Sequence, residues 1–153
     1  MSSTSKAGET STPMEGFSEQ ERAAIKARAK ELKAGGRGSK KAAADEAAVL
    51  SAIAGMAPSD RVLAERVHAI VTAAAPELAP KLWYGQPAYA RAGKVVCFLR
   101  SGQLDKERYS SFGFSVAANL DEDGGMWPTS YALTELSEAA EATIRKLVQK
   151  AVS

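Results

Sequence analysis

Cysteine and histidine each occur once in this chain of 153 residues, as Cys97 and His68. A single cysteine excludes an internal disulfide and a zinc site built from several cysteines. No apolar run approaches the roughly 20 residues that cross a bilayer, so we expect no membrane span. A lone thiol without a span is typical of the reducing cytoplasm, and we predict that location.

A strong net charge is also missing, because 20 basic residues stand against 18 acidic ones and the formal net charge is +2. This balance produces no field that would concentrate nucleic acid or an anionic membrane. The content of 45% hydrophobic and 25% charged residues is typical of one globular domain with a single core. We therefore expect neither a membrane nor nucleic acid as a partner.

The N-terminal part has little apolar content. Residues 1–16 are rich in Ser and Thr and have no apolar segment, so we predict a disordered tail and no signal peptide or anchor. Residues 18–34 have the composition of a surface helix, and the Gly-rich segment 35–38 should end it. Residues 17–39 are thus a candidate for a loosely attached helix and linker within a single domain, 17–152.

Two further helices follow in the pattern. Residues 40–53 carry an apolar stripe, and residues 61–75 carry a stronger one, so the second should be a core helix. Ser59 or Asp60 is the expected cap of that helix.

The composition then changes from Ala-rich segments to segments rich in β-branched and aromatic residues. Residues 88–99 predict a hairpin around Ala92-Gly93, and residues 109–116 alternate as a strand with Phe112 and Phe114 facing inward. Residues 126–133 are a candidate edge strand.

A final helix should begin at Ser137 as its N-cap. The order of elements predicts an α+β fold, in which N-terminal helices and a C-terminal helix accompany a small curved antiparallel sheet of about four strands.

The segment 83–89, with the sequence WYGQPAY, concentrates aromatic rings beside a Gly and a Pro. Rings with polar tips, together with an amide that donates and accepts, can line a pocket for a planar ligand or a peptide. The alternative is that these aromatic residues are anchors of the core. The predicted ligand-binding residues are Trp83, Tyr84, Gln86 and Tyr89, completed by Trp127 and Tyr131.

Two charged segments are weaker candidates. Asp121, Glu122 and Asp123 offer carboxylates to a hard cation such as iron, although they do not have the EF-hand pattern. Asp105 and Glu107 would join them if the fold brings these residues close in space. The alternative is a solvated turn.

The second charged segment surrounds the glycine run. Lys33, Arg37, Lys40 and Lys41 offer charge to phosphates, but no aromatic residue lies among them for stacking. A solvated linker is the better interpretation.

Residues for catalysis are scarce. His68 lies within an apolar helical pattern and Cys97 within an apolar strand, where a thiol stays protonated. No signature joins them, so we predict a protein that is not an enzyme.

Residues 17–152 resemble the YdhG-like family of domains of unknown function. The resemblance rests on Pro76-Glu77-Leu78, the segment 83–89, Gly93-Lys94-Val95-Val96 and the closing helix with Leu147-Val148. It implies a compact α+β fold in which the Tyr-Gly-x-Pro turn enters a curved sheet. One branch of that family is labelled a frataxin-like iron chaperone.

The sequence thus leads to two functional hypotheses. The first is a small intracellular domain that binds an unknown small molecule or protein through the segment 83–89, without a cofactor. The second, implied by the resemblance, is an iron chaperone that uses Asp121, Glu122 and Asp123. The sequence leaves open whether the protein is a monomer or a homodimer.

Overall fold

A computed structural model describes the backbone of residues 19–153 and the side chains of residues 22–23 and 38–153. The predicted disordered tail, 1–16, lies outside the described residues. By its internal contacts the chain divides into two units, 1–41 and 42–153.

The first helix, α1 (Glu19–Ala54), is continuous where the sequence analysis placed a break. The prediction that residues 35–38 end a helix is therefore wrong. Glycine in a helix interior costs roughly 1 kcal/mol relative to Ala, which weakens a helix without forbidding it. The Ala, Lys, Arg and Glu residues on both sides favour the helix strongly enough for it to continue across the glycines.

The second helix, α2 (Pro58–Ala74), begins earlier than predicted and without a side-chain cap. Pro58 occupies its first turn, where the missing N–H is not needed. Asp60, predicted as a cap, instead lies buried in the first turn and accepts hydrogen bonds from a distant loop. The third helix, α3 (Glu138–Ala151), has the predicted cap, because Ser137 accepts from the backbone N–H of Ala140.

Five strands form one antiparallel sheet in sequence order. They are β1 (Ala79–Trp83), β2 (Gln86–Arg91), β3 (Lys94–Arg100), β4 (Ser110–Phe114) and β5 (Ser130–Leu133). The α+β class is confirmed, and the strand count is five rather than four. The missed strand, β1, contains Pro80, which cannot donate to a ladder and is tolerated because β1 is an edge strand.

Within residues 42–153, the helical segments cover one face of the sheet. The strand register places Tyr89, Leu99 and Phe112 on that face, and all three are fully buried. They pack with Val49 of α1, Val67 of α2 and other core residues. The opposite face carries Trp83 and Phe98, which are only half-buried.

A β-bulge curves the middle of the sheet. The register between β2 and β3 shifts at Tyr89 and Ala90, which pair with Cys97 and Val95 and leave Val96 as the extra residue. Val96 and Cys97 are consequently both buried although they are adjacent in sequence. None of the described helices is both long and apolar enough to cross a membrane.

Candidate functional site

The segment 83–89 is built around a two-residue hairpin turn. Trp83 of β1 pairs with Gln86 of β2, so Tyr84 and Gly85 alone connect the strands. Both turn residues have positive φ, 51° for Tyr84 and 77° for Gly85, as a type I′ turn requires. The first position of this turn favours Asn, Asp or Gly, yet here it holds a tyrosine that is 78% exposed.

Three rings meet beside this turn. The ring centroids of Trp83 and Tyr84 lie 5.1 Å apart, and those of Trp83 and Phe98 lie 4.9 Å apart in an edge-to-face arrangement. The ring of Phe98 lies over Gly113 of β4, where a Cβ would come within 2.6 Å of its Cζ. We call Trp83, Tyr84 and Phe98 the aromatic surface.

Gln86 is the strand partner of Trp83 and is buried. Its amide oxygen accepts from the backbone N–H of Ser101, and its Nε2 donates to Asp105 over 3.2 Å. Two bonds from Arg100, of 2.9 and 3.0 Å, also reach Asp105 and hold the pKa of that carboxyl below its usual value. Gln86 therefore fixes the loop after β3 and does not present its amide to solvent.

The remaining predicted ligand residues lie elsewhere. Tyr89 is fully buried on the helix-covered face, so it belongs to the core. Tyr131 lies on β5, four strand spacings from β1, or roughly 19 Å. Trp127 precedes β5 and lines a separate cavity with Phe114. The structure joins Trp83 and Tyr84, and the six predicted residues do not line one cleft.

The candidate metal loop is exposed. Asp121, Glu122 and Asp123 all face solvent, and the carboxylate of Glu122 lies 3.7 Å from the ammonium group of Lys150. Asp105 is engaged by Arg100. Throughout the described part of the chain, no three His, Cys, Asp or Glu side chains converge to hold a metal.

The structure describes part of the basic segment. Lys40 and Lys41 are exposed, whereas the side chains of Lys33 and Arg37 lie outside the described residues.

The two candidate catalytic residues are separated by a tyrosine. Cys97 pairs with Tyr89 in the sheet, and Tyr89 in turn bonds to His68. Burial raises the pKa of the Cys97 thiol to about 12, so the thiol is protonated at neutral pH. The imidazole of His68 is therefore bonded to the hydroxyl of Tyr89 and not to the thiol of Cys97.

The structure also contains a buried polar cluster that was not predicted from the sequence. The carboxylate of Asp60, only 8% exposed, accepts from the hydroxyl of Ser101, from the backbone N–H of Gln103 over 3.0 Å and from the hydroxyl of Ser110 over 3.4 Å. These partners follow Asp60 by 41 to 50 positions, so no local pattern reveals them. A cavity of about 140 Å³ adjoins the cluster.

The protein was compared with protein-family models, with curated proteins and with solved structures, and none of them matches it. The resemblance to the YdhG-like family accordingly stays a prediction. The candidate site is defined by its geometry alone.

Proposed function

We propose that residues 42–153 form a non-enzymatic binding domain that takes a protein partner through the aromatic surface. One observation carries this proposal. The hairpin tip holds Tyr84 in a left-handed conformation, at a position that ordinarily takes Asn or Gly, and exposes 78% of it to solvent. Tyr and Trp are the side chains most enriched among residues that dominate protein interfaces.

The arrangement favours a protein over a small molecule. The ring of Trp83 already contacts both Tyr84 and Phe98 at about 5 Å between centroids, which leaves no slot beside it for a planar ligand to stack between these rings. A protruding tip is instead suited to insertion into a recess on a partner. Cys97, unpaired and buried, supports the cytoplasmic location that belongs to the same proposal.

The test compares wild type with Tyr84→Asn, which suits the turn but removes the ring. Val62→Ala is the matched control, because Val62 is an exposed apolar residue on α2. The three immobilised proteins are incubated with an extract of cells that naturally express this chain. Each captured protein is then purified and titrated against the wild type and the two variants by calorimetry. We expect a partner that binds wild type and Val62→Ala alike and binds Tyr84→Asn at least about tenfold more weakly.

Equal capture by all three proteins would refute the proposal. Sedimentation of the same variants tests the homodimer alternative, because a dimer that Tyr84→Asn dissociates would identify the partner as a second copy.

The iron-chaperone alternative has less support, since the acidic loop is exposed and its carboxylates do not converge. Anaerobic calorimetry with ferrous iron tests it directly. Stoichiometric binding that disappears when Asp121, Glu122 and Asp123 are changed to amides would replace our proposal with the chaperone.

A further inference from the structure

A second candidate site lies beyond the end of β4, separate from the aromatic surface. A cavity of about 300 Å³ opens there, at the lower limit of volumes typical of small-molecule pockets. Its apolar walls come from Phe114, Ala118 and Trp127, the exposed Val116 lies at its rim, and Asp121 is one of its polar lining residues.

The walls of this cavity are held in place by backbone hydrogen bonds. The N–H of Phe114 donates to the carbonyl of Thr129 over 2.7 Å, which joins the end of β4 to the segment that carries Trp127. The N–H of Ser115 donates to the carbonyl of Val96 over 3.0 Å, and that of Ala118 donates to the carbonyl of Ser115 over 3.1 Å. The cavity is therefore formed before any ligand enters, which lowers the entropic cost of binding.

The polar residues that line the cavity are Ser115, Asp121 and Thr129. The hydroxyl of Ser115 donates to the carbonyl of Val95 and accepts from the N–H of Ala117, so it is satisfied within the protein. Asp121 makes no hydrogen bond or ion pair among the described residues. The one carboxylate at the cavity is thus free for a ligand.

The rim exposes large apolar groups. Val116 is fully exposed, and Met126, next to Trp127, is 85% exposed. Because Val116 lines the cavity, its exposed side chain is accessible to a bound ligand.

We propose that this cavity binds small organic cations, with an apolar or aromatic body between Phe114 and Trp127 and an ammonium group at Asp121. The apolar walls accommodate the body, and the carboxylate of Asp121 pairs with the ammonium group. The next carboxylate along the chain, that of Glu122, does not line the cavity and faces Lys150 instead.

The probe for the test is phenethylammonium, and 2-phenylethanol is its neutral counterpart. Titrations are followed by the NMR signals of the two indole N–H groups, assigned with Trp127→Phe and Trp83→Phe. We expect saturable shifts at Trp127, no shift at Trp83, and binding of the neutral compound about five- to tenfold weaker.

Two variants isolate the charge. Asp121→Asn should abolish the preference for the cation, whereas Glu122→Gln should retain it, because Glu122 does not line the cavity and pairs with Lys150. Absence of saturable shifts at Trp127, equal affinity for both compounds in wild type, or a preference that survives Asp121→Asn would each overturn the proposal. None of these outcomes bears on Tyr84.

Discussion

The Nδ1 atom of His68 lies 2.9 Å from the hydroxyl oxygen of Tyr89, which ties the single histidine of the chain to a fully buried ring. On its other side, the Nε2 atom lies 4.0 Å from a carboxylate oxygen of Glu46. The three side chains come from α1, α2 and β2 and connect the helices to the sheet. Burial lowers the pKa of His68, and the charge of Glu46 opposes that effect.

This pair predicts a loss of stability in mild acid. An unfolded histidine titrates at about pH 6.5, and the folded His68 binds its proton less readily. The unfolded state therefore takes up more protons as the pH falls below about 6.5, and the free energy of unfolding decreases until the folded pKa is passed. Urea denaturation between pH 5 and pH 7.5 measures this decrease.

Two variants check the assignment. His68→Gln should flatten the dependence over this interval, while Glu46→Gln should steepen it, because the carboxylate that opposes the lowering is gone. A profile unchanged by His68→Gln would show that another group titrates there.

A second prediction concerns the two turns with positive φ at both residues. Tyr84-Gly85 and Ala92-Gly93 have nearly the same backbone, with φ of 51° and 53° at the first position. Asn tolerates this conformation, so Ala92→Asn should stabilise the protein by about 0.5–1 kcal/mol. Tyr84→Asn should change stability little, because the loss of the Trp83–Tyr84 contact offsets the gain. Thermal and urea unfolding of both variants measure the difference, and a large destabilisation by Tyr84→Asn would show that the tyrosine is structural.

Local signals predicted the hairpin around Ala92-Gly93, the inward Phe112 and Phe114, and the cap at Ser137, because each depends on neighbours in sequence. Strand β1 was missed because Pro80 argues against a strand, and only its place at the sheet edge makes the proline acceptable. Of the six residues predicted to bind a ligand, Trp83 and Tyr84 lie together in the aromatic surface. Phe98 joins them through strand register, which one sequence does not specify.

The buried carboxylate of Asp60 yields a third prediction. Asp60→Ala would leave the hydroxyls of Ser101 and Ser110 and the N–H of Gln103 without their acceptor. Unpaired buried donors cost about 1–3 kcal/mol each, so we expect a total loss of roughly 3 kcal/mol after partial relaxation. Ser59→Ala, a change at an exposed neighbour, should stay within about 0.5 kcal/mol. Equilibrium urea unfolding would contradict this account if the two variants proved equally stable.

The last prediction compares two glycines that face different neighbours. A Cβ on Gly102 would lie 2.6 Å from the backbone C and O atoms of Tyr109, which cannot move without displacing the loop. A Cβ on Gly113 would meet the far end of the Phe98 ring, also at 2.6 Å. A half-buried ring can tilt away, whereas backbone packed against backbone cannot.

Gly102→Ala should therefore cost about 3 kcal/mol, and Gly113→Ala about 1 kcal/mol. Because Phe98 packs edge-on against Trp83, Gly113→Ala should also shift the tryptophan emission, measured in a Trp127→Phe background. Residue 102 contacts neither ring, so Gly102→Ala should leave the Trp83 emission maximum unchanged as long as the variant is folded. If the two substitutions cost the same, Phe98 is held as rigidly as the backbone, and the aromatic surface is a rigid arrangement of rings.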